Sequence, residues 1–195
     1  MVLNELETLL KNNTPPSFEE LPPTSHVIQL LVKYNVVIPE EFQIAAIDKD
    51  DFSFVYLCGG TTPPSEKVML HAVTKNGYFM YNIKINHITP SLKVCLAAVK
   101  QNGRAISEIH PSLQTQEVQL AAVKQTGYAI QYIYSNGLIP SEAVQLAAVN
   151  KSPYAYKYIR AHERNPSEAV RVLFEDKRKR AFDTETPRLE YLNFS

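Results

Sequence analysis

The residues of this chain that could do chemistry are five histidines, two cysteines, an aspartate cluster, a run of four cations and a row of tyrosines. Hydrolysis or group transfer needs converging groups: a nucleophile beside a base, paired carboxylates, or a set of metal ligands. His26, His71, His87, His110 and His162 form no HExxH, and Cys58 and Cys95 no CxxC, so neither a zinc site nor a dithiol is spelled out. His71 stands where sister phrases carry alanine, which reads as a packed or loop-bonded histidine before it reads as a site. Cys58 precedes Gly59 and Gly60 with no base placed beside it, so its thiol reads as ordinary. Asp48, Asp50 and Asp51 lack the glycine and terminal Glu of a calcium loop and read as a solvated acidic face. No catalytic residue, cofactor or metal is expected, and the chain reads as a non-enzyme.

Binding chemistry is better represented. Tyr56, Tyr78, Tyr128, Tyr132, Tyr154 and Tyr158 recur at two positions four residues apart in successive segments, with Phe52, Asn82, Arg104 and Glu108 on the remaining rungs. Residues four apart share a helix face, so these form one ladder. Tyrosine combines a large apolar body with a polar tip, which suits a binding surface and equally suits wedging between neighbours with the hydroxyl at the rim. Stacking on single-stranded nucleic acid would need Lys or Arg along the same face. Those are sparse, so protein contact is favoured. Lys177, Arg178, Lys179 and Arg180 form the one basic run, the pattern of a nuclear-import or nucleic-acid patch and also of a solvated helix end.

The elements that position these residues follow from a repeat. The phrase VQLAAVKQTG from Val118 returns as VQLAAVNKSP from Val144, and upstream as VCLAAVKQNG from Val94, VMLHAVTKNG from Val68 and FQIAAIDKDD from Phe42. A decayed copy starts at Val170, and the spacings between starts are 26, 26, 24, 26 and 26 residues. A fixed period in the twenties signals stacked supersecondary units. Each unit reads as two helices. Helix A opens after a proline, with Ser65, Ser91, Ser141 or Ser167 as the N-cap. Gly77, Gly103 and Gly127 read as left-handed residues that close it about three turns later. Around its axis the apolar residues fall on two opposed faces, so both are expected to be buried. Helix B follows, with a core stripe of Phe54, Met80, Ile106, Ile130 and Tyr156, then Leu57, Ile83, Ile109, Ile133 and Ile159.

Residues 1–23 read as a short amphipathic helix and a proline-rich linker, 24–180 as the repeat domain with capping half-repeats, and 181–195 as a tail. The expected fold is all-α, a short right-handed-type α-solenoid of about five two-helix repeats. Twenty basic and twenty acidic residues cancel, which argues against a general nucleic-acid binder. Residues 1–60 are acidic, however, with nine Asp or Glu against three Lys, while residues 157–180 carry eight Lys or Arg against four acids. Two non-equivalent cysteines do not suggest a disulfide framework, and neither a signal peptide nor a membrane span is legible. An unsecreted, intracellular protein is expected.

The phrases VCLAAVKQNGRAISEI and VQLAAVKQTGYAIQYI resemble the short helical repeats of a family of unknown function found in bacteria and large DNA viruses. The likeness spans about residues 24–174. It departs at His71, at Asp50-Asp51 in the first repeat and at Ser152-Pro153 in the fifth, where the glycine is missing. The resemblance implies an all-helical repeat fold and an origin in a giant virus such as a marseillevirus, and it supplies no activity. The expected function is a scaffold or protein-binding module, with homo-oligomerisation through an exposed cap as a related form. The alternative is nucleic-acid or nuclear association through Lys177 to Arg180.

Overall fold

The computed structural model describes residues 3–14, 16–163 and 165–183, so the tail from residue 184 lies outside the described residues. Among the described residues every regular element is helical. Helix A appears as α3 (Glu40–Lys49), α5 (Glu66–Lys75), α7 (Leu92–Gln101), α8 (Gln116–Gln125) and α10 (Glu142–Lys151), each of 10 residues. The final copy, α12 (Glu168–Asp183), has 16. Helix B appears as α4 (Phe52–Cys58), α6 (Met80–Ile85, entered through a 3-10 turn at Gly77–Phe79), α9 (Ala129–Ser135) and α11 (Ala155–His162). Two helices precede them, α1 (Leu3–Lys11) and α2 (Ser25–Lys33). The chain falls into two compact units, residues 1–94 and 95–195, divided inside α7. In each, helix A packs beside helix A and helix B beside helix B: α3 on α5 and α4 on α6 in the first, where α2 also packs on α4, and α8 on α10, α10 on α12 and α9 on α11 in the second. This is an all-α helical-repeat fold.

Helix A buries one broad stripe rather than two opposed faces. Val118, Gln119, Ala122 and Val123 are buried, as are Val144, Gln145, Ala148 and Val149, and Val68, Met69, Ala72 and Val73. Residues at i, i+1, i+4 and i+5 span about 140° of one side at 100° per residue. Leu120 and Ala121, like Leu146 and Ala147, are only half-buried on the other side. The glutamines inside the stripe each bond to the loop before their own helix. Gln119 Nε2 donates to the Gln114 carbonyl (2.9 Å), and Gln145 Nε2 to that of Pro140 (3.1 Å), each clamping the loop five residues back. The helix B stripe is as expected. Phe54, Met80, Ile106, Ile130, Ile83, Ile133 and Ile159 are all fully buried, each worth about 1.5–3 kcal/mol of transfer free energy. Tyr156 is the exception, half-buried with its ring stacked on Phe174 of α12 at 4.1 Å.

The glycines do not act as left-handed caps of helix A. Asn76, Asn102 and Thr126 close it in extended conformation, φ −147, −145 and −147°, and the asparagine side chains turn forward. Asn76 Oδ1 accepts from the Tyr78 N–H (3.0 Å) and Asn102 Oδ1 from the Arg104 N–H (3.1 Å), so one residue ends helix A and caps helix B. The glycine that follows is needed for space. A Cβ on Gly103 would stand 2.5 Å from the Ala122 carbonyl oxygen, and one on Gly127 would stand 2.6 Å from that of Ala148. Left-handed residues close α1, α2, α6 and α9 instead: Asn13 (φ 56°), Asn35 (53°), His87 (56°) and Gly137 (77°). There the paired bonds of a Schellman motif form, such as Leu138 N–H to Ile133 O (3.2 Å) and Gly137 N–H to Tyr134 O (2.9 Å).

Ser65, Ser91 and Ser167 cap as expected, accepting from Val68, Val94 and Val170 N–H at 3.4, 3.3 and 3.3 Å. Thr115 does the same for Val118 (3.4 Å), but the Ser141 side chain makes no cap bond. The third helix B is a 3-10 run, Gly103–Glu108, followed by a 3-10 turn at Pro111–Leu113. This is the repeat of 24 residues instead of 26. A 3-10 helix rises about 2.0 Å per residue against 1.5 Å, so fewer residues cover the same span.

Candidate functional site

The helix B face of residues 95–195 gathers three of the ladder tyrosines. The Tyr128 and Tyr154 ring centroids lie 5.5 Å apart, Tyr154 and Tyr158 5.9 Å, and Tyr128 and Tyr158 6.4 Å. The two pairs involving Tyr158 meet edge to face, the geometry that the ring quadrupole favours. Tyr128 precedes α9 and remains 38% exposed, so the cluster is both a seam between successive helix B segments and an open surface. Tyr132 is half-buried one turn further along α9. Lys157 Nζ donates to the Tyr154 hydroxyl (3.2 Å) and lies 5.3 Å from that ring's centroid. Burial first, then the neighbouring Tyr154, raises the Tyr158 pKa, so the hydroxyl stays a neutral donor and acceptor.

Tyr134 belongs to α9 but not to this face. Its buried hydroxyl donates to Glu163 Oε1 (2.7 Å), its ring stacks on His162 at 4.4 Å, and Gln145 Nε2 donates to the same carboxylate oxygen (2.8 Å). Burial and the adjacent carboxylate both push its pKa up. This is a structural knot. Tyr56 and Tyr78 lie in residues 1–94. Tyr78 is exposed beside Tyr81 and Ile85, two exposed residues outside the sequence-based ladder that share its side of the helix.

The remaining candidates become structural contacts. Cys58 and Cys95 are free and buried, and burial pushes their thiols up to about 12 and about 11, which suppresses the nucleophilic thiolate. His71 Nε2 bonds to Asp48 Oδ1 at 2.8 Å. No hydroxyl or thiol completes a triad around it among the described residues. Asp48 and Asp51 do not form a merely solvated face: Lys75 Nζ sits 3.5 Å from each, and Asp50 Oδ1 accepts from the Phe52 N–H (2.9 Å). The His71 hydrogen bond holds the Asp48 carboxyl below its usual range. Among the described residues no group of three His, Cys, Asp or Glu side chains could hold a metal ion. In the basic run, Arg178 pairs with Glu175 (2.8 Å) and Arg180 with Asp176 (3.0 Å), so two of its four cations are compensated on α12 itself. Among the described residues no helix is long and apolar enough to cross a membrane.

Residues 92–136 match a family model described as a domain of unknown function, DUF4116. The match covers α7, the 3-10 run, α8 and α9, one helix A–helix B unit and the next. No curated protein and no solved structure matches the chain.

Proposed function

We propose that this protein is a non-enzymatic helical-repeat module that docks a protein partner on the tyrosine face formed by Tyr128, Tyr132, Tyr154 and Tyr158. The observation that carries this reading is the three-ring cluster of Tyr128, Tyr154 and Tyr158, held at fixed geometry on adjacent helix B segments with Tyr128 open to solvent. Rigid aromatics lose little entropy on binding and supply much of the energy at protein interfaces. A protein partner is preferred to nucleic acid because Lys157 is engaged with Tyr154 and half of the basic run is paired with acids. An intracellular setting, in the host or virion of a large DNA virus, accords with the resemblance noted above.

The test is partner recovery from native cells with the double variant Tyr128→Ala and Tyr132→Ala. Helical circular dichroism should be unchanged while the partner is lost. Undiminished recovery would overturn the reading. Retention of wild-type protein on DNA, lost with rising salt and lost on neutralising Lys177 to Arg180, would replace it with the nucleic-acid alternative.

A further inference from the structure

The outer side of the helix A layer carries a second surface of different chemistry. Leu96, Leu120 and Ala121 form the floor of an open groove of about 460 Å³ between α7 and α8, with Lys100, Lys124 and Gln125 on its wall and Glu117 at its other end. The two helices are tied at that wall, where the Gly103 N–H donates to Gln125 Oε1 (2.9 Å) and Gln125 Nε2 donates to the Gln101 carbonyl (3.4 Å). The groove thus lies between two segments that are hydrogen-bonded to one another. Its two lysines are exposed, and neither has an acid within ion-pair distance among the described residues. This is unlike helix A of the first unit, where Lys67 is held by Glu40 and Glu41, and Lys75 by Asp48 and Asp51.

Two uncompensated cations beside a leucine floor select an occupant that is apolar on one side and acidic along the adjoining edge. Helices packed side by side lie about 8–10 Å apart, so the two ammonium groups suit carboxylates about two helical turns apart. No aromatic ring lines the groove for bases to stack on, and a sugar–phosphate chain would leave the leucines uncovered. We propose that the α7–α8 groove docks an acidic amphipathic segment of a partner protein, with apolar side chains on Leu96, Leu120 and Ala121 and two carboxylates facing Lys100 and Lys124. This surface does not depend on the tyrosine face.

The test uses the full chain and a fluorescein-labelled synthetic helical peptide of about 15 residues, leucine on one face, with two glutamates about two turns apart. The control replaces those glutamates by lysines. Fluorescence anisotropy should show the acidic peptide binding at least about tenfold more tightly than the control, and more weakly as salt rises. Lys100→Glu with Lys124→Glu should reverse that preference, and Leu120→Lys should weaken both peptides. Tyr128→Ala with Tyr132→Ala should change nothing, which separates this groove from the tyrosine face. Circular dichroism of each variant establishes that it remains folded. Equal binding of the two peptides overturns the proposal, as does a preference that survives charge reversal. So does displacement of the acidic peptide by a lower concentration of a single-stranded DNA oligonucleotide.

Discussion

In residues 1–94 successive helix A segments are joined by polar side chains at the surface. Glu40 holds Lys67 at 3.3 Å and also bonds to Ser65, Ser91 bonds to Glu66, and Asp48 holds His71 and Lys75. In residues 95–195 the ties lie deeper. Gly103 and Gly127 approach the Ala122 and Ala148 carbonyls, Asn136 Nδ2 donates to the Ile106 carbonyl (3.3 Å), and Gln145 and Tyr134 share Glu163. The same phrase therefore builds both regions, with different positions spent on cohesion. Ties through charged side chains occupy the surface, whereas ties through backbone and buried amides leave it available. It is in the second region that the three-ring tyrosine cluster and the unpaired Lys100 and Lys124 occur.

The severest way to break this comparison is to fill the close approaches. Gly103→Ala or Gly127→Ala places a methyl 2.5 or 2.6 Å from a backbone oxygen. Urea denaturation should show a loss of roughly 1–3 kcal/mol, the range for overpacking a fixed site. Gly59→Ala, whose Cβ would meet nothing nearer than 3.6 Å, should stay within about 0.5 kcal/mol of wild type. Equal effects at the three positions would remove the distinction.

A smaller effect is expected at the caps. Ser65→Ala removes both the bond from the Val68 N–H and the tie to Glu40, and should cost about 1 kcal/mol by the same measurement. Ser141→Ala removes no side-chain cap bond and should cost only a few tenths of that. A larger loss at Ser141 than at Ser65 would reverse the ranking.

The smallest effect sharpens the comparison through pH. Hydrogen bonds from Lys33, Ser65, His71 and Ser25 hold the Glu7, Glu40, Asp48 and Asp50 carboxyls below their usual range. The stability they contribute is present above the ordinary carboxyl pKa of about 4 and is lost as pH falls through the lowered values. Because these groups are exposed, the contribution is modest. Hydrogen exchange read by mass spectrometry below about pH 4 should show residues 1–94 losing protection before residues 95–163. The opposite order would contradict the assignment of ionic ties to the first region.

Most of the architecture was legible in the sequence because it is local and repeated. Every helix A begins two residues before its phrase, and the helix B stripe is buried at all but Tyr156. What misled was long-range. A glycine after Lys-Asn, Gln-Asn or Gln-Thr at the end of helix A looks like a left-handed cap, yet the constraint on Gly103 comes from Ala122, in the next repeat. The apparent second buried face reflected half-buried Leu120 and Ala121, whose weaker burial shows only once the neighbouring helices are placed. Of the candidate site, the tyrosine positions were readable from their four-residue spacing. The clustering of Tyr128, Tyr154 and Tyr158 was not, because it depends on how adjacent helix B segments meet. The Gln119 and Gln145 clamps did leave a signal: a polar residue recurring between the apolar positions of VQLAAV.

The glycine-to-carbonyl approach is the same at two successive junctions, Gly103 on Ala122 and Gly127 on Ala148, and it uses main chain on the receiving side. The nearest contact at each junction thus asks for a glycine in one copy and only a main-chain oxygen in the next. Copy number can rise or fall by whole modules without redesigning a junction, so the length of the array can change more freely than the inside of any one of its members.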